Sequence, residues 1–181
     1  ETMGISVLPP SINDSYSSFT VVNDSTIRFG LSAIKGLGQG TVDEILSVRE
    51  EGGPFSSIEN LLQRVPAKLM NKKTIEALAL SGALDDLGER KRLAQSTDIM
   101  SSYAKTNQEM SAQGQSSLFA GEQGETAPLN LPKVTPATNM DRLKWEKDYL
   151  GLYVSGHPLK GLKQYLSRKV TLIDSLTEKN I

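Results

Sequence analysis

The chain has 181 residues, of which 38% are hydrophobic and 6% aromatic, with 20 basic side chains against 21 acidic ones and a net charge of -1. That allows one lean-cored domain with appendages or two small domains, and the near-neutral balance excludes a protein coated in cations. With no cysteine and a single histidine, His157, disulfides, thiolate zinc sites, cysteine nucleophiles and multi-histidine metal centres are excluded too.

No apolar run approaches the roughly 18 residues needed to span a bilayer, and no signal peptide heads the chain. It begins at Glu1, which reads as a piece cut from a longer, cytoplasmic protein. Residues 1 to 18, with Leu8-Pro9-Pro10 and the small polar run Ser11 to Ser15, read as an extended lead-in. Phe19 to Val22 and Thr26 to Phe29 are β-prone, and Asn23-Asp24-Ser25 between them is turn chemistry, so a β-hairpin is expected there. An isolated hairpin is marginal in water and should lean on the helices that follow.

Leu31 to Ile34 then reads as a short helix stopped by Gly36, and Gln39 to Glu51 as a second one stopped by Gly52-Gly53-Pro54. Between them lies Lys35-Gly36-Leu37-Gly38-Gln39-Gly40, whose glycines free the backbone to take φ > 0. Beyond it Val42, Ile45, Leu46 and Arg49 recur on one helical face. A glycine-rich turn feeding a helix start leaves backbone N–H groups without intrahelical partners, so they can converge on a phosphate with the helix dipole behind them. Ile34, Gly36, Leu37 and Gly38 with the apolar positions after them resemble the helix-hairpin-helix motif, which grips a DNA backbone without reading sequence. The plainer reading is that Gly-Leu-Gly only joins two packed helices. A P-loop is a poor alternative, because no Gly-Lys-Ser/Thr follows the glycines.

Ser56 with Glu59 reads as a capping box for a third helix carrying Ile58, Leu61, Leu62 and Val65, closed by Pro66. Asn71 caps a fourth with Ile75, Leu78 and Ala79 on one face and Gly82 as its stop. Residues 65 to 73 thus stand in the place of a second, glycine-poor hairpin, where Asn71, Lys72 and Lys73 either hold a phosphate or sit at a plain helical joint. Asp85-Asp86 invites a two-metal reading, but the pair is adjacent, lacks a third carboxylate at a useful local spacing, and fits a turn between Gly82 and Gly88. A fifth helix is expected from Glu89 to about Lys105, with Leu93, Thr97, Met100 and Ala104 on one side. Lys35, Arg64, Lys68, Lys72, Lys73, Arg90, Lys91 and Arg92 concentrate positive charge in this half; for residues 90 to 92 a solvated face is the equal alternative.

Residues 106 to 139 are rich in Gln, Ser, Gly, Thr and Pro and read as a flexible linker. Within it Gln115-Ser116-Ser117-Leu118-Phe119 is a compact apolar bait. The pattern resembles the bacterial sliding-clamp-binding motif, in which the glutamine amide bonds in a small subsite while leucine and phenylalanine fill an apolar pocket. Tucking onto its own domain is the alternative. A sixth helix over Met140 to Tyr149 ends at Gly151, a short extended run and turn follow, and another helix is expected around Leu162 to Leu166. His157 beside Pro158 reads as a turn residue.

Taken in order, Val7 to Asn13, Ile27 to Leu31 running into Ile34 to Gly38, Gly53-Pro54-Phe55, Asn71 to Asp85, Gln115 to Phe119, Leu150 to Tyr153 and Ser155 to Leu159 resemble the C-family bacterial replicative polymerases, the DNA polymerase III alpha subunits. The resemblance implies a mainly α fold: the end of the fingers with the small β-hairpin over 1 to 30, a tandem helix-hairpin-helix DNA-binding domain over 31 to 105, and a linker with the clamp motif over 106 to 139. A helical segment over 140 to 181 would then lead toward an oligonucleotide-binding fold. It implies Lys35, Gly36, Leu37, Gly38, Gln39, Gly40, Lys72 and Lys73 on the duplex backbone, and Gln115, Ser116, Ser117, Leu118 and Phe119 on the sliding clamp. Other domains and subunits of the polymerase III holoenzyme are further implied partners. The catalytic aspartates of the palm, and the Mg2+ the parent polymerase uses, belong upstream, so no cofactor or catalytic residue is expected here. Two rivals stay open: a helix-hairpin-helix repair glycosylase or lyase, which needs a lysine nucleophile that the sequence does not identify, and an interdomain scaffold that touches no DNA.

Overall fold

The computed structural model describes residues 4–112 and 129–159. Three strands come first, β1 (Ser6–Leu8), β2 (Thr20–Asn23) and β3 (Thr26–Arg28), then a 3-10 turn over Leu31–Ala33. Among the described residues six helices follow: α1 (Gln39–Gly52), α2 (Ile58–Arg64), α3 (Lys72–Ser81), α4 (Arg90–Gln95), α5 (Thr97–Ala112) and α6 (Asn139–Leu150). The mainly α expectation holds.

The hairpin forms as expected, β2 antiparallel to β3, with Asn23 Oδ1 accepting from Ser25 N at 3.1 Å in the turn. The extended lead-in is corrected. Ser6–Leu8 add a third strand parallel to β3, giving the order β1-β3-β2, and Ile12 is fully buried with its amide on Ala83 O at 2.8 Å. Local composition is silent about this, because a parallel partner is recruited across the intervening chain rather than through a turn. Gly30 follows the sheet where a Cβ would meet Ser18 carbonyl carbon at 2.4 Å, so only glycine lets the two backbones pass.

The core runs without a break from Ile12 through Phe29, Leu31, Val42, Ile45, Leu61, Leu62, Ile75, Leu78 and Leu84 to Met100 and Leu150. Helix ends fall where the sequence placed its stops: Gly53, Gly82 and Gly151 take φ of 74°, 89° and 78° at the C-caps of α1, α3 and α6. Three local expectations change. The α2 cap is Ser57, accepting from Asn60 N, and not Ser56. The helix expected from 89 to 105 is two helices, because Glu89 caps α4 and the chain turns at buried Ser96 before α5 begins. Both described ends of the stretch expected as a linker are ordered: residues 106–112 complete α5, and Leu129 and Leu131 pack against the core. That returning segment is held by Arg92, whose guanidinium donates to Leu131 O and Pro132 O at 2.7 and 3.1 Å, and by Glu89, which accepts from Ala137 N at 2.9 Å. Partial burial works against the charge of Glu89, yet the amides of Ala137, Arg92 and Lys91 hold its carboxyl below the usual glutamate range.

Candidate nucleic-acid interface

The 3-10 turn, residues 34 to 38 and α1 form one helical hairpin. Leu31, Ile34 and Leu37 are buried and pin the turn to the core, whereas Lys35, Gly36, Gly38, Gln39 and Gly40 are exposed. Leu37, expected on the backbone of a duplex, is therefore an anchor whose side chain faces inward. Of the three glycines, Gly36 alone takes the left-handed conformation, at φ 89°. Gly38 is an ordinary extended N-cap at φ -77°, Gly40 is helical, and a Cβ on either would meet nothing within 4 Å. Conformational need thus explains Gly36 and fails to explain the other two. Gly40 lowers helix propensity by about 1 kcal/mol relative to alanine, and no neighbour requires it.

Those two glycines leave the helix start bare. Thr41 and Val42 amides bond Gly38 O at 3.0 and 3.1 Å, but Gly38 has no side chain to cap with, and the first turn carries no acidic residue. The amides of Gly36, Gly38, Gln39 and Gly40 meet no acceptor among the described residues. The Gln39 side chain is occupied elsewhere: its Nε2 donates to Ser17 Oγ and Asp43 Oδ1 at 3.0 and 2.7 Å, and its Oε1 accepts from Ser32 Oγ at 2.8 Å. Lys35 offers an ammonium only, since its amide donates to Tyr149 O at 2.9 Å.

The second hairpin, α2 to α3, repeats the joint with a different end. Met70 is its buried anchor, but Asn71 Oδ1 accepts from Thr74 N at 3.1 Å and fills the place an anion would take. Lys72 pairs with Asp98. Lys73 faces Lys35 across a groove of about 440 Å3 lined also by Gly36, Glu76, Ala77, Asp148 and Tyr149. Two lysines against two carboxylates leave that groove electrically balanced. Burial first, and then Glu76 and Asp148, push the Tyr149 phenol up.

Much of the remaining basic charge turns inward. Arg64 donates to Val48 O and Gly53 O at 2.6 and 2.9 Å, and Arg49 to Ile12 O and Ser15 O at 2.9 and 2.7 Å. Arg90 is 3% exposed, bound to Asp85 at 2.9 and 2.7 Å and to Glu146 at 3.4 Å. Asp85 is thereby spent on an ion pair, and Asp86 accepts from Ser11 Oγ at 3.2 Å, roles that fit a turn. The solvated-face alternative for residues 90 to 92 is corrected for Arg90 and Arg92, which staple elements together. Sequence analysis also missed Tyr149, Asp148 and Glu76 beside the hairpin; nothing in their local spacing signals it. The clamp-type segment, Gln115 to Phe119, and the helix expected at 162 to 166 lie outside the described residues. His157 Nδ1 accepts from Leu159 N at 3.1 Å, as suits a turn residue. No helix among the described residues is long and apolar enough to cross a membrane.

The helix-hairpin-helix motif family matches residues 4–94, half of the chain. Over nearly the whole chain the sequence is similar to proteins named DNA polymerase III subunit alpha. The identity is 40% over 168 residues with that of Thermus aquaticus, covering 91% of this chain and 13% of the relative. With that of Deinococcus radiodurans it is 39% over 179 residues, 96% and 13% respectively. With that of Pseudomonas aeruginosa it is 38% over 176 residues, 87% and 15%. The chain therefore spans about a seventh of the length of these relatives.

Proposed function

This chain belongs to the helix-hairpin-helix family, and from that premise we propose that it is a non-catalytic DNA-backbone and sliding-clamp-binding module of a replicative polymerase, a DNA polymerase III alpha subunit. The observation that carries the DNA reading is the bare start of α1. Two glycines that neither conformation nor packing requires stand where partnerless amides face solvent, and a phosphate supplies both the charge and the acceptors for such a site. Lys35 and Lys73 bring ammonium groups beside these amides, but Glu76 and Asp148 balance them, so the backbone carries the contact. Gly36, Gly38, Gln39 and Gly40 would bind through backbone alone, so the contact carries no base preference. The polymerase reaction, with its Mg2+, belongs to parts of the parent outside this chain.

Gln115, Leu118 and Phe119, with Ser116 and Ser117 between them, would tether the polymerase to its clamp. A few phosphate contacts bind weakly alone, and tethering raises the effective concentration at which they act.

Two titrations test the reading. Unrelated duplexes of equal length should bind the 181-residue chain alike, with a log–log salt slope of about -2 to -3; absence of salt-sensitive binding rejects the DNA contact and favours the scaffold. Calorimetry against the sliding clamp should show binding that Leu118→Ala with Phe119→Ala abolishes; no binding by either form rejects the tether.

A further inference from the structure

Glu146 is fully buried in the middle of α6, and nothing in backbone binding uses it. Its Oε1 takes the Arg90 guanidinium at 3.4 Å, and its Oε2 accepts from Val154 N and Ser155 N at 2.8 and 2.9 Å. Arg90 is itself fixed by Asp85 and lies against the left-handed C-cap of α3, where a Cβ on Gly82 would meet its Nη2. One buried carboxylate therefore joins α6 to α3, α4 and the chain after Gly151. A charge in this setting is stable in few arrangements, because every partner lost leaves an uncompensated group away from water.

The same helix reaches the phosphate-binding turn. Tyr149, three residues beyond Glu146, accepts the Lys35 amide through its carbonyl, and that bond immediately precedes the left-handed Gly36. Seating α6 thus fixes the peptide from which the turn swings its remaining amides outward. The Lys35 N–H belongs to the Ile34–Lys35 peptide, so its bond to Tyr149 O ties to α6 the peptide that leads into the left-handed Gly36.

We propose that Glu146 is a positioning residue for the backbone-binding turn: it seats α6 so that Tyr149 holds the Ile34–Lys35 peptide, at the entrance of the turn, in the place a phosphate site requires. The inference rests on the DNA reading above. Coupling between the two sites is reciprocal, so DNA held at residues 36 to 40 also steadies the Glu146 contacts.

The test uses the whole chain, a labelled mixed-sequence duplex read by anisotropy, and hydrogen exchange with and without DNA. In the unaltered chain DNA should slow exchange at the Val154 and Ser155 amides, which a purely structural Glu146 would not do. Glu146→Gln should weaken duplex binding about fivefold or more and speed exchange at Lys35. Ser155→Pro, at an exposed position, deletes one donor to the carboxylate and should give a smaller loss; it decides the matter if Glu146→Gln does not fold. Unchanged DNA affinity in a folded variant whose Lys35 amide exchanges faster overturns the inference and leaves the DNA reading standing. Absence of DNA-dependent protection at residues 154 and 155 overturns it equally. Failure of the unaltered chain to bind duplex removes the DNA reading itself, and this inference with it.

Discussion

The two helical hairpins share a joint and differ at its tip. Each ends in a buried apolar anchor just before the helix cap, Leu37 in the first and Met70 in the second, and each delivers the chain to the start of a helix packed in the core. At α1 the cap is Gly38, and the first amides are open; at α3 the cap is Asn71, whose side chain already accepts one. A helix start must satisfy its leading N–H groups by side chain, water or ligand, so a built-in cap competes with an anion for the amide it takes. The second hairpin caps its own helix, and the first leaves its leading amides open.

Four experiments break or sharpen that comparison. Removing either anchor tests whether the hairpins are equivalent as joints: Leu37→Ala and Met70→Ala should each destabilise by about 2–4 kcal/mol in urea unfolding. A large inequality would break the parallel. Gly38→Asp tests the open amides. A carboxylate there caps α1 without a clash, so thermal stability should rise by a few tenths of a kcal/mol while duplex affinity falls about tenfold, roughly 1.4 kcal/mol. Stability and binding moving in opposite directions is an outcome that a scaffold does not produce; affinity unchanged in a folded Gly38→Asp would reject the amide site.

The converse, Asn71→Gly, should cost only a few tenths of a kcal/mol and open α3 to one more phosphate, steepening the salt slope by about one. An unaltered slope would mean that Asp98 and the balanced groove silence the second hairpin irrespective of its cap. The smallest effect concerns Glu89. Its carboxyl is held below the ordinary value in the folded chain, so its contribution is fully present above the unfolded glutamate pKa and is lost as pH falls through the lowered folded one. Exchange protection of the Ala137 amide should therefore weaken on acidification, with Glu89→Gln removing that dependence. Protection at Ala137 indifferent to acid would detach Glu89 from the returning segment.

Arginines show most plainly where reading along the chain runs out. Arg64, Arg90 and Arg92 belong by position to a basic half that suits nucleic acid, yet their guanidinium groups bond carbonyls or carboxylates elsewhere in the fold. Charge says that an arginine needs acceptors; only packing decides whether those are phosphates or the protein's own oxygens. Ser6–Leu8 make the same point for backbone, since the partner strand lies across the intervening chain.

What the sequence by itself determined is local. Apolar spacing at 3.6 residues per turn placed α1, α3 and α6, glycines in the left-handed region ended them, and Asn71 capped α3, because each depends on residues within a turn of one another. The glycine-rich turn was legible for the same reason, down to its residues. Tertiary structure decided which of those glycines is conformationally required, that Leu37 faces the core, that Lys72 pairs with Asp98, and that α6 takes the Lys35 amide. Each of those outcomes turns on a partner distant in sequence, and a chain read in order does not say who its neighbours will be.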